Sequence, residues 1–225
     1  MSKLTIYHGS SQIIKAPLYG VGPVHNDYGQ GFYCTEHLEL AREWSSNKDT
    51  PGYVNCYELE LEGLHILNLS DDRYTVLHWL ALLVNNRTFQ MKTPLMYNGA
   101  AWLKEWFLPD ISEADVIIGY RADDSYFGFA RAFLTNQISL AQLSYAMRLG
   151  KLGEQVMLKS EKAFQQLTFI GYETVMSEYY FTKKVKRDLE SREAFHQELK
   201  KSDYKGIFLN DIIREEMKPD DVRLR

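Results

Sequence analysis

Two short stretches near the amino terminus carry residue types that could bind a flat-ring ligand. One runs from Tyr7 to Ser10 and reads YHGS, and the other runs from Asp27 to Thr35 and reads DYGQGFYCT. Glycines one residue apart let a backbone turn tightly and approach a ligand, because glycine has no Cβ. Phe32 and Tyr33 leave this turn as neighbours of an extended segment, so their rings should point to opposite faces. We expect Tyr33 on the ligand side, since its hydroxyl needs a polar partner.

Further polar residues lie where apolar strands begin or end. The apolar segment 115–120 leads into a loop that begins with Arg121 and contains Asp123. An arginine and an acid at a strand end could contact a phosphate and activate an acceptor, and an ordinary ion pair or turn cap is an equally good interpretation. Farther along, Glu154 and Gln155 enter another apolar strand as a polar pair.

The elements that must position these residues can be read from the hydrophobic pattern. Alternation and apolar runs predict strands at about 4–7, 55–62, 64–69, 115–120, 154–158 and 168–175. Apolar residues at helical spacing predict helices at about 36–47, 70–84, 100–107, 125–136, 139–149, 161–167, 177–200 and 208–217. Strands lie towards both ends and helices concentrate in the middle, so the sequence predicts an α+β fold. We expect a single domain over residues 1–225, with 176–225 as a helical carboxyl-terminal extension.

Composition places the chain among ordinary proteins with a buried core. It is 45% hydrophobic and 25% charged, and its formal net charge of −4 gives no sign of affinity for a phosphate backbone. The longest mainly apolar run, 76–84, is far shorter than the roughly 20 residues of a membrane helix, and no secretory signal precedes it. Cys34 and His37 have half the spacing of a zinc site without a second pair, so we expect no metal. The two cysteines lie in strand-like sequence, which favours a cytoplasmic protein with no membrane partner.

Taken together, these stretches resemble three motifs of the ADP-ribosyltransferase superfamily, in the branch of diphtheria toxin and the poly-ADP-ribose polymerases. The first motif is a His-Gly pair that ends a strand, found as His8-Gly9-Ser10. The second is a glycine-glycine-aromatic turn whose tyrosine precedes a small residue and an acidic helix start, matched by residues 29–36. The third is a glutamate entering a late strand, at the position of 154–158. The whole is similar to an uncharacterised bacterial group within that superfamily.

The resemblance implies a split pair of small sheets that clamp NAD, with extra helices between the second and third motifs. It implies that His8 hydrogen-bonds a ribose hydroxyl and that the backbone of Gly9 holds the nicotinamide carboxamide. Tyr33 would stack on the nicotinamide ring, and Trp44 on the next helix would be either the opposite wall or an ordinary core residue. The remaining residues expected to shape the NAD site are Ser10, Gly31, Phe32, Arg121 and Asp123.

The third motif departs from the family's pattern, because alignment of the apolar strand places Gln155 where the catalytic glutamate belongs. Glu154 lies one residue earlier and would face the other side of the strand. An amide can hold a ribose hydroxyl, but it supplies no negative charge and cannot act as a base. Slow transfer, an acid from elsewhere such as Asp123, and no catalysis all remain open.

The sequence therefore predicts an NAD-dependent ADP-ribosyltransferase that releases nicotinamide, with His8, Tyr33 and Gln155 as its catalytic residues. The acceptor would be a macromolecule, either protein or nucleic acid, and a neutralising protein partner would suit a toxin-like role. For a nucleic acid, the basic run at 183–187 would be the place of contact. The alternatives are a catalytically inactive module that binds NAD or ADP-ribose, and an NAD glycohydrolase.

Overall fold

Strands and helices are mixed along the chain, which confirms the predicted α+β class. The computed structural model describes residues 2–48, 50–121, 124–147 and 154–224. Asp123 and the predicted helix end at 148–149 lie outside these ranges. The strands are β1 Lys3–Ser10, β2 Phe32–Cys34, β3 Gly52–Glu60, β4 Ile66–Asn68, β5 Val116–Tyr120, β6 Glu154–Leu158 and β7 Leu167–Val175. The helices are α1 Leu38–Ser45, α2 Val76–Asn86, α3 Pro94–Trp106, α4 Asp124–Leu134, α5 Leu140–Ala146, α6 Glu161–Gln165, α7 Ser177–Leu199 and α8 Leu209–Arg214.

The strands form two small sheets that meet at one edge. One sheet has the order β1-β3-β7 and is antiparallel; the other has the order β2-β6-β5-β4, with β4 parallel to β5. Tyr7 and Thr35 exchange two backbone hydrogen bonds, of 2.8 and 2.9 Å, and so connect β1 to the end of β2. This connection brings the two glycine-containing stretches of the sequence side by side.

The four-stranded sheet is buried on both faces, which explains why β5 and β6 read as continuous apolar runs. On one face, Ile117 and Met157 belong to the main core formed with the middle helices. On the other face, Val116, Val156 and Leu158 pack against the first sheet in a second core. Within the part of the chain that the structure describes, no helix has both the length and the apolar character of a bilayer span.

Two helices begin at places other than those the sequence pattern predicts. Helix α2 begins after Thr75, whose hydroxyl accepts from the backbone of Leu77, while Nδ1 of His78 accepts from the Thr75 backbone at 2.9 Å. Burial lowers the pKa of His78, which suits this neutral acceptor role. Helix α3 begins at Pro94 because the side chain of Thr93 caps it. Gly99 lies inside this helix, where a side chain of α8 packs against it and leaves no space for a Cβ. Local pattern alone did not reveal either cap.

Helix α7 is fastened to α1 by charged pairs. The carboxylate of Glu43 on α1 is buried and lies 2.7 Å from the guanidinium of Arg187 on α7. On the same side, Lys183 of α7 pairs with Glu39 of α1 at 2.7 Å. Trp44 lies next to Glu43, so these contacts support the helix that carries one of the predicted site residues.

We expect Arg187→Met to lower the free energy of unfolding by about 3 kcal/mol, because it leaves the Glu43 carboxylate buried without its cation. Urea denaturation at pH 7 measures this. The matched control is Arg192→Met on the same helix, which removes a half-exposed pair with Asp188 and should cost less than about 1 kcal/mol. Equal losses for the two variants would contradict the assigned role of Glu43 and Arg187.

Candidate functional site

A cleft of about 680 Å³ opens beside the point where the two sheets meet. Its volume lies within the range of about 300–1,000 Å³ that is usual for small-molecule sites. The loop 11–31 forms one wall and α1 forms part of another. Among its lining residues are His8, Gly9, Gly31, Phe32, Tyr33, Trp44, Arg121 and Gln155. The fold thus brings together residues that the sequence places in separate motifs.

The imidazole of His8 marks the end of the contact between the sheets. Its Nδ1 lies 2.7 Å from the backbone carbonyl of Tyr33, and its ring packs on Phe32 with ring centres 4.4 Å apart. A carbonyl only accepts, so Nδ1 carries the hydrogen. Burial lowers the pKa of His8, and the ring is therefore neutral at pH 7 with Nε2 as an acceptor. A ligand hydroxyl is a suitable donor to that nitrogen.

The backbone of Gly9 faces the cleft because of this arrangement. Residues two apart in a strand direct their backbone N–H and C=O groups to the same side. The N–H and C=O of Tyr7 bond to Thr35, away from β3, so those of Gly9 also point away from β3. Gly9 in an uninterrupted ladder would pair with Tyr33, whose carbonyl instead accepts from His8. A Cβ on Gly9 would also clash with α1, at 2.7 Å from the backbone nitrogen of Ser45. The close approach of α1 therefore requires glycine at this position, and the backbone donor and acceptor of Gly9 face the cleft.

The ring of Tyr33 is held by the glycine turn that precedes it. Its hydroxyl donates to the carbonyl of Gly29 at 2.7 Å and accepts from the backbone of Tyr28 at 3.1 Å. Gly29 has a φ of +88°, a left-handed conformation that favours glycine. Burial raises the pKa of the Tyr33 hydroxyl, so it stays protonated at physiological pH. Tyr33 can therefore offer a fixed ring surface, but it is not a general base.

The second glycine of the turn, Gly31, lies too close to β6 for any side chain to fit. A Cβ on Gly31 would lie 2.6 Å from the carbonyl oxygen of Leu158 on β6. The close approach lets the turn pass under the cleft and directs Phe32 and Tyr33 into its lining. We expected the two rings on opposite faces, with Tyr33 on the ligand side; in the structure both residues are half-buried and line the cleft.

Trp44 and Arg121 form another part of the lining. The guanidinium carbon of Arg121 lies 4.3 Å from the centre of a Trp44 ring, a close cation–π contact. One face of the indole is thereby covered, which leaves the other face or its edge for a ligand. The indole Nε1 is buried and has no hydrogen-bond partner among the residues that the structure describes. An unpaired buried donor is costly, and a ligand acceptor would satisfy it.

Gln155 lies beside an acid that the sequence did not single out. The amide nitrogen of this buried side chain donates to Oδ2 of Asp27 at 3.0 Å and to the carbonyl of Tyr120 at 3.2 Å. Both partners are acceptors, so the amide oxygen is the atom left to receive a ligand hydroxyl. Asp27 also lies 3.7 Å from the guanidinium of Arg87, and both residues line the cleft.

Three donors converge on the carbonyl of Tyr120 at the end of β5. Besides Gln155, the indole of Trp79 donates at 3.0 Å and the hydroxyl of Tyr28 donates from the glycine turn. Burial raises the pKa of Tyr28 far above its ordinary value, so its hydroxyl remains a donor. The orientation of Gln155 is therefore determined by a buried polar network.

The other residues considered in the sequence lie away from the cleft or outside the described ranges. Glu154 accepts a hydrogen bond from the hydroxyl of Ser70 and does not line the cleft. This agrees with its position next to Gln155, because neighbouring side chains of a strand face opposite sides. Ser10 ends β1, accepts from the Gln12 backbone at 3.2 Å and is likewise not in the lining. Asp123 is not among the described residues. Cys34 is fully buried, and burial raises the pKa of its thiol, which makes it unreactive.

Asp27 and Arg87 are charged cleft residues that sequence reasoning missed as site residues. Asp27 directly precedes the glycine turn, where an acid is common for reasons of turn geometry. Arg87 follows α2 and has no local signal that relates it to the turn. Only the folded chain shows that the two side chains share a wall with Gln155.

The comparisons with known proteins assign the chain to a family. Residues 4–169 match the model of DUF3990, described as a protein of unknown function, and the chain belongs to this family. No curated protein and no solved structure matches the chain. The matched span includes the whole lining of the cleft, whereas α7 and α8 lie beyond it. The family description names no activity, so the case for function depends on the site.

We expect His8 to be mainly neutral at pH 6.5, where a histidine of ordinary pKa would be half protonated. Nitrogen-15 NMR of the imidazole should show hydrogen on Nδ1 and none on Nε2. As the pH falls, His8 is protonated in the unfolded chain before it is protonated in the folded protein. The contribution of His8 to the free energy of unfolding is therefore complete above pH 6.5. It declines as the pH falls below that value towards the lowered pKa of the folded state. A His8 signal half titrated at pH 6.5, identified by its loss in His8→Gln, would contradict the assigned hydrogen bond.

Proposed function

We propose that this protein is an NAD-dependent ADP-ribosyltransferase that transfers ADP-ribose to a macromolecular acceptor and releases nicotinamide. The observation that carries the proposal is the convergence of His8, Gly9, Tyr33 and Gln155 on one cleft. These residues come from three motifs spread from residue 8 to residue 158, and each of them presents a group that NAD could contact. The acceptor class, protein or nucleic acid, is left to experiment.

The nicotinamide end of NAD fits the groups that face the cleft. A carboxamide has both a donor and an acceptor, and the free backbone N–H and C=O of Gly9 are complementary to that pair. The ring of Tyr33, fixed through its hydroxyl, provides a flat apolar surface for the pyridine ring. The unpaired Nε1 of Trp44 provides a further donor. A pocket of this kind selects a planar ring that carries a carboxamide.

The ribose and phosphates fit the remaining polar groups. Nε2 of His8 accepts from a ribose hydroxyl, and Oε1 of Gln155 accepts from another. A guanidinium can donate two parallel hydrogen bonds, so the side chain of Arg121 in the cleft lining suits the oxygens of a diphosphate. These contacts would hold the sugar in a fixed position relative to the clamped ring, which favours bond cleavage by orientation.

The reaction breaks the bond between the ribose C1′ and the nicotinamide nitrogen. The bonding electron pair stays on nitrogen, so the pyridinium leaves as neutral nicotinamide and positive charge develops on the ribose. A lone pair of the acceptor then bonds to C1′, and the acceptor gives up its proton to water. Residues that clamp the ring and hold the sugar hydroxyls lower the barrier by stabilising that developing charge.

A second function is favoured by one observation, the amide at position 155. Gln155 carries no negative charge where the resembled family has a glutamate, and an inactive module that binds NAD or ADP-ribose needs none. Such a module would use the same cleft and the same contacts from His8, Gly9 and Tyr33. Its difference from the transferase lies in bond cleavage.

Tyr33→Ala should weaken NAD binding by at least about tenfold, because it removes the ring on which nicotinamide stacks. It should also abolish the appearance of label in macromolecules when the protein is incubated with cell extract and NAD labelled in its adenylate part. Calorimetry and gel autoradiography are the measurements. Tyr172→Ala is the matched control, since Tyr172 lies on β7 with 51% of its surface exposed and outside the cleft.

Each outcome distinguishes between the functions. Labelled macromolecule together with free nicotinamide supports the transferase, and free nicotinamide without labelled macromolecule indicates a glycohydrolase. NAD binding without release of nicotinamide indicates the binding module. Equal NAD affinities of Tyr33→Ala and Tyr172→Ala, or no binding by the native protein, would remove the basis of the proposal.

A further inference from the structure

We propose that Asp27 supplies the negative charge that Gln155 lacks, so that the two side chains together do the work of one catalytic glutamate. The inference rests on the proposed function, because it concerns the charge that develops on the ribose of NAD. It assigns a catalytic carboxylate to the loop before the glycine turn and gives Gln155 a distinct task.

The position of Asp27 is the first support. Its Oδ2 accepts from the Gln155 amide at 3.0 Å, so the carboxylate lies within one hydrogen bond of the position where the glutamate is missing. Both side chains are buried and both line the cleft. The backbone of Asp27 is also held, because its carbonyl accepts from the side chain of Asn86 at 3.1 Å. The carboxylate therefore has a defined location relative to any ligand in the cleft.

The hydrogen-bond pattern divides the two tasks of a glutamate. One is to accept from a ribose hydroxyl, and the amide oxygen of Gln155 is the atom directed to it, because the amide nitrogen is used by Asp27 and Tyr120. The other is to place a negative charge near the ribose, which an amide cannot do and an ionised carboxylate can. Asp27 is the acid that the described part of the chain brings into contact with Gln155.

The surroundings make this charge effective. A carboxylate in a site that excludes water stabilises developing positive charge much more than it would in bulk water. The guanidinium of Arg87, 3.7 Å from Oδ1 of Asp27, offsets part of the cost of burying the acid in the free protein.

A purely structural role for Asp27 makes a different prediction. If Asp27 only orients the Gln155 amide, an asparagine could replace it, because the side-chain oxygen of asparagine also accepts from that amide. The two side chains have nearly the same shape and differ in charge. Asp27→Asn therefore tests the charge and preserves the hydrogen bond.

The experiment compares native protein with Asp27→Asn, and uses Asp220→Asn as the matched control on an exposed surface. We expect Asp27→Asn to lower the rate of nicotinamide release at saturating NAD by about 100-fold or more, as loss of one electrostatic contact to a transition state does. The Kd for NAD from calorimetry should change much less than the rate, because the carboxylate acts mainly on charge that develops in the transition state. The melting temperature should fall only slightly, because the side chain of Arg87 is 30% exposed and stays hydrated without its partner. Asp220→Asn should match the native protein in all three measurements.

A charge exchange provides the second variant. Asp27→Asn combined with Gln155→Glu moves the carboxylate across the hydrogen bond to the position of the missing glutamate. We expect this double variant to recover most of the rate lost in Asp27→Asn. Recovery would show that charge at this place is what the site needs, since a structural defect at residue 27 would not be repaired at residue 155.

The outcomes separate this inference from the function on which it rests. If native protein releases nicotinamide and Asp27→Asn does so at the same rate, Asp27 is not the carboxylate, and the transferase proposal stands. The same conclusion follows if Asp27→Asn loses its NAD affinity together with its rate and the double variant does not recover. If native protein binds no NAD, the proposed function fails and this inference fails with it.

Discussion

The hydrogen bond from the His8 imidazole to the Tyr33 carbonyl decides where the two sheets separate. Tyr7 and Thr35 join the sheets by backbone hydrogen bonds, and the next pair in that ladder would be Gly9 with Tyr33. His8 takes the carbonyl instead, at 2.7 Å. The strands then diverge and leave the polar backbone of Gly9 facing the cleft. The same contact therefore opens the cleft and leaves a backbone donor and acceptor in its lining.

The second constraint is the polar network at the end of β5. Side chains from the glycine turn, from α2 and from β6 all donate to the carbonyl of Tyr120. Buried networks of this kind are stable when every member is satisfied, and they then admit one arrangement. The turn is thereby held against β6, which places Asp27 next to Gln155. The ring of Tyr33 and the polar groups of Asp27 and Gln155 are thus parts of one connected structure.

The family match and the cleft occupy the same part of the chain. The DUF3990 match covers residues 4–169 and therefore the cleft, while the cations by which α7 pairs with α1 lie beyond that span. The reaction that we propose needs a ring clamp, a sugar contact and a negative charge. In our proposal, the clamp and the sugar contact come from the motifs that the sequence predicts. The charge, in our proposal, comes from a different residue.

The sequence by itself determined the α+β class, the bounds of β5 to within a residue, and the two glycine stretches, because these depend on periodicity and on local backbone freedom. It also identified His8, Tyr33 and Gln155 as the residues to examine. Only the tertiary structure decided that Asp27 contacts Gln155, 128 positions away, and that Arg121 covers Trp44. It also moved the start of α2 to the Thr75 cap. Contacts between distant residues depend on how sheets and loops pack, and neither side of such a contact carries a local pattern that announces its partner.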